Sequence, residues 1–186
     1  GSYSFRYYDS GLTSPSIDTW GVDWLGYYNP TVTEDSFAPT RDQARNGDGY
    51  LLTLRQPSFS HAMYGMLDEV EYPTGGLSKF SYEQNSFSRD KTGLQDDGND
   101  HLASGVRLSE IRNLDEKGME VGRTGYSYKN VTGISSGQLL WRPIIYSRYY
   151  ISSGGYERIE RETVSTSNDF PFSKSTPIEY LRVLET

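Results

Sequence analysis

The sequence predicts an all-β fold in which antiparallel hairpins form a twisted sheet or a β-sandwich, with at most short helical insertions. Most segments alternate apolar and polar residues with a period of two, which is the repeat of a strand that buries one face. The chain contains 16 tyrosines among its 186 residues, and aromatic residues are favoured in strands. It also contains 19 glycines and 8 prolines, which supply the backbone conformations that tight turns need.

The clearest element is a hairpin over residues 67–83. Its two arms flank the turn sequence Pro73-Thr74-Gly75-Gly76. Proline fixes φ at about −65° and glycine adopts positive φ without a steric penalty, so this sequence favours a chain reversal. One face of each arm carries bulky side chains. We predict that these side chains form aromatic and β-branched pairs across the two strands: Val70, Tyr72, Phe80 and Tyr82.

Weaker signals place the other elements of the first two thirds of the chain. Residues 4–8 predict an opening strand, and residues 58–66 are compatible with a helical turn. The polar segments 31–46 and 88–100 predict loops. A second hairpin follows, with a turn at 113–118 and a return strand at 119–128. Its first strand contains Val106, Leu108 and Ile111.

The last third of the chain predicts further strands. The apolar run 139–146 contains Pro143, which favours an edge strand or an extended crossing. Strands at 149–151 and 157–164 flank a glycine-rich turn, and residues 178–184 predict a final strand. We expect a single domain over residues 1–186 that is a segment of a longer protein, with lobes at 1–64 and 65–186 as the alternative division.

Composition excludes several classes of function. The formal net charge is −7, with 25 acidic and 18 basic residues, so a phosphate backbone would be repelled and we predict no nucleic-acid partner. No apolar run approaches the roughly 20 residues that a membrane helix needs, so we predict no direct membrane insertion. Cysteine is absent and there are only two histidines, which excludes thiol chemistry and a multi-histidine zinc site. We predict no cofactor.

The segment 18–29, DTWGVDWLGYYN, concentrates aromatic rings beside polar groups. Sugars bind to the apolar faces of such rings, while nearby carboxylates and amides hold their hydroxyl groups. Alternatively, the rings pack in a core, because Trp20 and Trp24 share one face of an extended segment and the glycines allow close backbone approach. The glycan platform that this segment predicts consists of Trp20, Trp24, Tyr27, Tyr28, Asp23 and Asn29.

Acidic residues suggest two further kinds of site. A glycosidase needs two carboxyl groups about 5 to 10 Å apart, one of them with a raised pKa. No pair stands out among the 25 acidic residues, so we predict no catalytic residue and do not expect an enzyme. Asp96, Asp97, Asn99 and Asp100 cluster oxygen atoms that suit Ca²⁺. They lack the regular spacing of a calcium loop, so we predict no metal site and leave calcium binding by Asp96–Asp100 open.

Four motifs point to one group of proteins. Residues 24–29, WLGYYN, resemble a DWWGYYNG signature, apart from leucine for its second tryptophan and proline for its final glycine. Residues 66–76 resemble L-x-x-I-x-Y-P-T-G-G, and residues 80–85 are similar to F-x-Y-E-x-N. Residues 105–111 resemble G-V-R-I-x-x-I. Together and in this order, the motifs resemble the region just upstream of YD (Rhs-type) repeats in large surface or secreted proteins of Bacteroidetes.

The resemblance implies an extracellular or cell-surface location, associated with the outer membrane, and flanking repeats of the same polypeptide as partners. It supplies no catalytic residue. We therefore expect a non-catalytic structural or interaction module that packs against YD-type repeats. The main alternative is a carbohydrate-binding module that uses the aromatic platform and has a glycan as its partner. A hydrolase with two carboxylates is the third hypothesis.

Overall fold

Strands predominate in the described part of the chain, which confirms the all-β prediction. The computed structural model describes residues 1–9, 21–23, 26–31, 55–91, 97–140, 148–151, 157–160 and 178–186. The predicted helical turn is present as helix α1 (Phe59–Ala62). Most of the predicted loop 31–46 and of the apolar run 139–146 lies outside the described residues. The division of the chain into one domain or two lobes stays a prediction.

The strands of the described residues form three sheets. The strand bounds are β1 Ser4–Tyr7, β2 Leu67–Glu71, β3 Leu77–Phe87, β4 Arg89–Asp90, β5 His101–Leu114, β6 Glu120–Ser127, β7 Gly137–Leu139, β8 Arg148–Ile151, β9 Glu157–Glu160, β10 Ile178–Tyr180 and β11 Leu184–Glu185. Six strands form an antiparallel sheet in the order β1-β2-β3-β5-β6-β11. A small mixed sheet has the order β10-β7-β4, with β4 parallel to β7. β8 and β9 form an antiparallel pair.

The first predicted hairpin is confirmed as β2 and β3. Its turn is closed by two backbone hydrogen bonds: Tyr72 N–H donates to the Gly76 carbonyl at 2.8 Å, and Gly75 N–H donates to the Tyr72 carbonyl at 2.9 Å. Gly75 has a φ of 91°, a left-handed conformation that favours glycine. The second predicted hairpin is also confirmed, as β5 and β6.

The cross-strand pairs predicted for the first hairpin are wrong, because its bulky side chains do not lie opposite one another on β2 and β3. The turn places Glu71 opposite Leu77, so Val70 lies opposite Ser78. The phenol of Tyr72 then contacts the Ser78 hydroxyl at 3.0 Å. The other two bulky residues find their opposite partners on β5 instead. Phe80 pairs with Ile111 and Tyr82 pairs with Leu108.

The register gives the six-stranded sheet two different faces. In one cross-strand row, each of the neighbouring strands β1, β2, β3, β5 and β6 contributes a charged residue. These residues are Arg6, Glu69, Lys79, Arg112 and Arg123. The adjacent row points to the opposite face, because successive side chains alternate along a strand. That row is uncharged, and it consists of Phe5, Val70, Ser78, Asn113 and Gly122.

A small core joins the six-stranded sheet to the mixed sheet. Phe87 and Ala103 contribute from β3 and β5, and Leu139 and Ile178 contribute from β7 and β10. All four are buried, and Tyr180 packs against them. The two sheets therefore bury apolar side chains against each other where β3 ends and β5 begins.

Two sequence predictions are corrected by the mixed sheet. Residues 178–184 form two strands in two sheets instead of one strand, because Ser136 holds the chain between them. Ser136 Oγ donates to the Arg182 carbonyl at 2.7 Å, and Leu181 N–H donates to the Ser136 carbonyl at 3.2 Å. The predicted loop 88–100 contains the short strand β4, since Lys91 N–H bonds to the Leu139 carbonyl at 3.0 Å.

Gly137 provides a test of the close approach of β7 to β3. A Cβ atom at this position would collide with the Ser86 carbonyl oxygen and lie 3.1 Å from Phe87 Cα. Both obstacles are backbone atoms, so we expect Gly137→Ala to lower the free energy of unfolding by about 1–3 kcal/mol through overpacking.

Gly122→Ala is the matched control, because the nearest atom to its added Cβ is Asn113 Nδ2 at 3.7 Å. Alanine there should leave stability unchanged or raise it by up to about 1 kcal/mol. Urea unfolding of both variants measures the difference. Equal stability of the two variants would contradict the close backbone approach.

Candidate functional site

The described part of the aromatic segment is a tight chain reversal. Asp23 N–H donates to the Tyr27 carbonyl at 2.8 Å, and Gly26 N–H donates to the Asp23 carbonyl at 3.0 Å. Gly26 has a φ of 87°, so a side chain at this position would be strained. The buried Asp23 carboxylate accepts the Tyr27 N–H at 3.0 Å. Aspartate therefore fixes this turn locally, as it does in many turns.

Other buried polar side chains hold the reversal in place. Asn29 is 2% exposed and donates from Nδ2 to the Gln56 carbonyl at 2.6 Å. Its Oδ1 accepts the backbone N–H and the hydroxyl of Thr31, at 3.1 and 2.6 Å. Arg55 is also buried and donates from Nη1 to the Val22 carbonyl at 2.5 Å. Asp23 Oδ1, Asn29 and Arg55 thus have hydrogen-bond partners inside the protein, as burial requires of polar groups.

The ring of Tyr27 lies against the backbone of β5. A Cβ atom at Gly105 would come within 2.5 Å of Tyr27 Cζ and 2.7 Å of its oxygen. Gly105 has a φ of 77°, and the pairing register of β3 and β5 shifts beside it, between Gln84 and Ser86. Such a bulge bends the strand. Burial is the main cause that raises the pKa of Tyr27, and the Asp23 carboxylate raises it further.

Beside Tyr27 lies a Tyr–Arg cluster formed by Arg107, Tyr128 and Tyr180. The Arg107 side chain is 10% exposed, and its Cζ lies 4.4 and 4.7 Å from the ring centroids of Tyr128 and Tyr180. Its Nε donates to Glu83 Oε1 at 2.7 Å. A guanidinium over a partly desolvated ring is stabilised by about 0.5–2 kcal/mol. The cluster therefore compensates a largely buried positive charge with two rings and one carboxylate.

Hydrogen bonds from the two phenols connect the cluster to the strands. Tyr180 donates to Asn85 Oδ1 at 3.0 Å and accepts the Ser86 N–H at 3.3 Å. Tyr128 donates to the Leu108 carbonyl at 2.7 Å. Burial raises the pKa of both tyrosines, so both stay neutral hydrogen-bonding groups. The arrangement ties β10 to β3 and the residue that follows β6 to β5, and its chemistry is that of a structural cross-link.

The structure places the members of the predicted glycan platform differently. Trp20 and Trp24 lie outside the described residues. Asp23 and Asn29 are buried and bonded within the chain. Tyr27 and Tyr28 are half-buried; Tyr27 packs on β5, and Tyr28 meets His61 of α1 edge-on, with ring centroids 6.0 Å apart. Glycan binding by this segment stays a prediction.

An exposed row of aromatic side chains, which we call the β1 ladder, was not among the predicted sites. It consists of Tyr3, Phe5 and Tyr7, which are 59%, 55% and 57% exposed. The rings of Tyr3 and Phe5 are nearly parallel, at 21° and with centroids 6.3 Å apart. The signal in the sequence was the alternation Tyr-Ser-Phe-Arg-Tyr over residues 3–7. Alternation predicts a strand, but it does not reveal that the aromatic face is open to solvent.

The acidic cluster considered for Ca²⁺ is engaged in local hydrogen bonds. Asp97 Oδ1 accepts from His101 Nε2 at 2.7 Å and from the Asn99 N–H at 3.0 Å. Asp100 Oδ1 accepts the Ser135 N–H at 2.7 Å. The described residues contain no group of three or more His, Cys, Asp or Glu side chains that could hold a metal ion. Residue 96 lies outside them, so calcium binding stays open.

Comparisons with protein-family models, curated proteins and solved structures each found no match. The resemblance to the region upstream of YD repeats therefore stays a prediction. Within the described residues, no helix has the length and apolar character needed to cross a membrane.

The Tyr180 phenol provides a test of the cross-link. Tyr180→Phe removes a hydroxyl that both donates to Asn85 and accepts from Ser86, so it should lower the free energy of unfolding by about 1–3 kcal/mol. Tyr126→Phe is the control, because that hydroxyl has no hydrogen bond within the described residues, and it should change stability by less than about 0.5 kcal/mol. Urea unfolding compares the two, and a larger loss for Tyr126→Phe would contradict this account.

The Asp97 carboxyl provides a test of pH dependence. Its pKa is lowered from 3.8 to about 2, first by the hydrogen bond from His101 and then by the Asn99 N–H. The native state therefore keeps this carboxylate ionised at a pH where the unfolded chain has protonated it. The stabilisation is complete above a pH of about 4 and is lost as the pH falls towards 2.

A carbon-detected NMR titration of the side-chain carboxyl measures this pKa directly. His101→Phe keeps a ring against Phe87, which His101 contacts with centroids 5.4 Å apart, but removes the donor. The Asp97 midpoint should then rise towards its ordinary value. An unchanged midpoint would assign the shift to another group.

Proposed function

We propose that this chain is a non-catalytic interaction module of a bacterial cell-surface or secreted protein, and that it pairs with YD-type repeats of the same polypeptide through a strand edge. The observation that carries the proposal is the outer side of β6. β11 covers only one end of this strand, because Leu184 pairs with Ser127 and Glu185 with Tyr126. No other strand of the described residues pairs with the rest of this edge, which is therefore available to a partner.

The direction of the backbone groups on β6 supports strand addition. Gly125 exchanges two hydrogen bonds with Thr186, of 2.9 and 3.0 Å, so its N–H and C=O point to the outer edge. Backbone groups alternate along a strand, so those of Arg123 point to the same side. The regular alternation ends beyond Gly122, because the register with β5 shifts between Gly122 and Glu120. No strand of the described residues pairs with Arg123 on this side, so its backbone groups are available to a partner strand.

The side chains around this edge also suit a protein partner. Several apolar side chains are exposed here, and Arg123 between them is paired with Glu110 and Glu120 at 3.4 and 3.0 Å. The local charge is therefore compensated and would not repel a neighbouring strand. Exposed apolar side chains at an unprotected edge are typical of a surface that another chain covers. The exposed apolar residues are Met119, Val121, Leu181, Val183 and Leu184.

The carboxylates of the sheet support a non-catalytic role. A glycosidase needs a carboxyl group whose pKa is raised, whereas the bond from Arg123 lowers the pKa of Glu120. Glu110 is shared by two arginines, and Glu69 lies between Arg6 and Lys79. Arranged in this way, these groups are suited to pairing charges across strands. Carbohydrate binding remains the second hypothesis and has less support, since the buried Asp23 and Asn29 are already bonded.

Amide hydrogen exchange tests the proposal. The Arg123 amide should exchange rapidly in this chain alone. In a longer version of the polypeptide that includes the proposed repeats, its exchange should slow by about tenfold or more, because a bonded amide exchanges only after the pair opens. Thr124 is the internal control, since it pairs with Ile111 of β5 and should be slow in both. An unchanged rate at Arg123 in the longer polypeptide would contradict the proposal.

A further inference from the structure

We propose that β1 forms an antiparallel pair with β1 of a second copy of this chain, around a twofold axis at Phe5, which joins two six-stranded sheets edge to edge. The inference goes beyond the proposed function and does not depend on it, because β1 and β6–β11 lie at opposite edges of the sheet. Three observations carry it: the direction of the backbone groups, the exposed ladder, and the self-complementary order of side chains.

The outward side of β1 has backbone groups available for pairing. Tyr8 N–H donates to the Met66 carbonyl at 2.7 Å, and the Tyr8 carbonyl accepts the Gly65 N–H at 3.1 Å. The backbone groups of Tyr8 thus face β2. By alternation, those of Tyr7 and Phe5 face away from β2. Within the described residues no strand pairs with this side of β1.

The β1 ladder makes this edge apolar on one face. Its three aromatic side chains are each more than half exposed, and Tyr72 extends the patch through an edge contact with Tyr3, with centroids 5.9 Å apart. A contiguous exposed apolar patch of this kind marks an interaction surface. The occupant must supply both backbone hydrogen bonds and apolar side chains at alternate positions. An extended strand does both, whereas a helix cannot pair with the backbone edge.

A second β1 strand matches this edge position by position. With Phe5 opposite Phe5 of the second copy, Tyr3 lies opposite Tyr7 and Ser4 lies opposite Arg6. Every aromatic side chain then meets another aromatic side chain, which is a favourable cross-strand pair. The same register brings outward backbone groups together at Phe5, and this symmetry is what an isologous twofold interface requires.

Charge does not oppose this register. Arg6 is the charged residue of β1, and it already pairs with Asp68 at 3.0 Å and Glu69 at 2.7 Å. It would face the small Ser4 of the other copy and not a second arginine. The net charge of −7 on each copy adds a long-range repulsion, which salt at about 0.15 M screens beyond about 8 Å. The contact is short, so we expect a weak and reversible dimer with a Kd in the micromolar range or above.

Analytical ultracentrifugation of the chain from about 1 μM to about 1 mM tests the proposal. The wild-type chain should shift from monomer to dimer over this range. Phe5→Lys and Phe5→Glu each place like charges directly opposite at the axis, so each should weaken dimerisation by about tenfold or more. An equimolar mixture of the two variants should dimerise again, because a lysine then faces a glutamate. Val131→Lys, at an exposed turn position, is the matched control and should dimerise like the wild type.

The outcomes show whether a second copy of this chain occupies the β1 edge. Slow exchange of the Tyr8 amide in both Phe5 variants shows that β1 remains paired with β2. A wild-type chain that stays monomeric up to about 1 mM overturns the proposal, as does a dimer that persists in both variants. Failure of the mixed variants to dimerise overturns the register centred on Phe5. Each result is independent of the exchange rate at Arg123, so this inference and the proposed function can fail separately.

Discussion

The pairing of β3 with β5 is the constraint on which the rest of the described structure depends. These are the two longest strands, Leu77–Phe87 and His101–Leu114, and they pair from Leu77 opposite Leu114 to Phe87 opposite His101. A slip by one residue would move every side chain to the opposite face of the sheet. The register therefore decides which row of the sheet is charged and which residues reach the core.

The irregular part of this pairing creates the interior contacts. Gly105 lies beside the bulge and has no side chain, so the Tyr27 ring fills the space that a Cβ atom would occupy. Two residues further along β5, the Arg107 guanidinium packs over the rings of both Tyr128 and Tyr180, whose centroids are 4.8 Å apart. A regular strand with a larger residue at 105 would exclude the Tyr27 ring. The bulge thus connects segments that are distant in sequence.

The two edges of the six-stranded sheet have a common chemistry. Each combines outward backbone groups with exposed apolar side chains and an arginine whose charge is compensated by carboxylates: Arg6 on β1 and Arg123 on β6. Proteins usually protect such edges with lysines, prolines or short strands. Here the arginines are paired and do not act as uncompensated charges. This is the physical reason that both proposals assign a protein strand, and not a small ligand, to the edges.

Local sequence determined the strands and turns of this protein, because alternation and turn chemistry act within a few residues. The turn at 73–76, the hairpins β2–β3 and β5–β6, and the strand at the start of the chain are all predicted in this way. The tertiary structure decided the rest. It paired Phe80 and Tyr82 with β5, split residues 178–184 at the contact with Ser136, and formed β4 by pairing with β7. It also buried Asn29 and left the β1 ladder exposed. Periodicity shows that a strand has two faces, but only distant segments decide which face is covered.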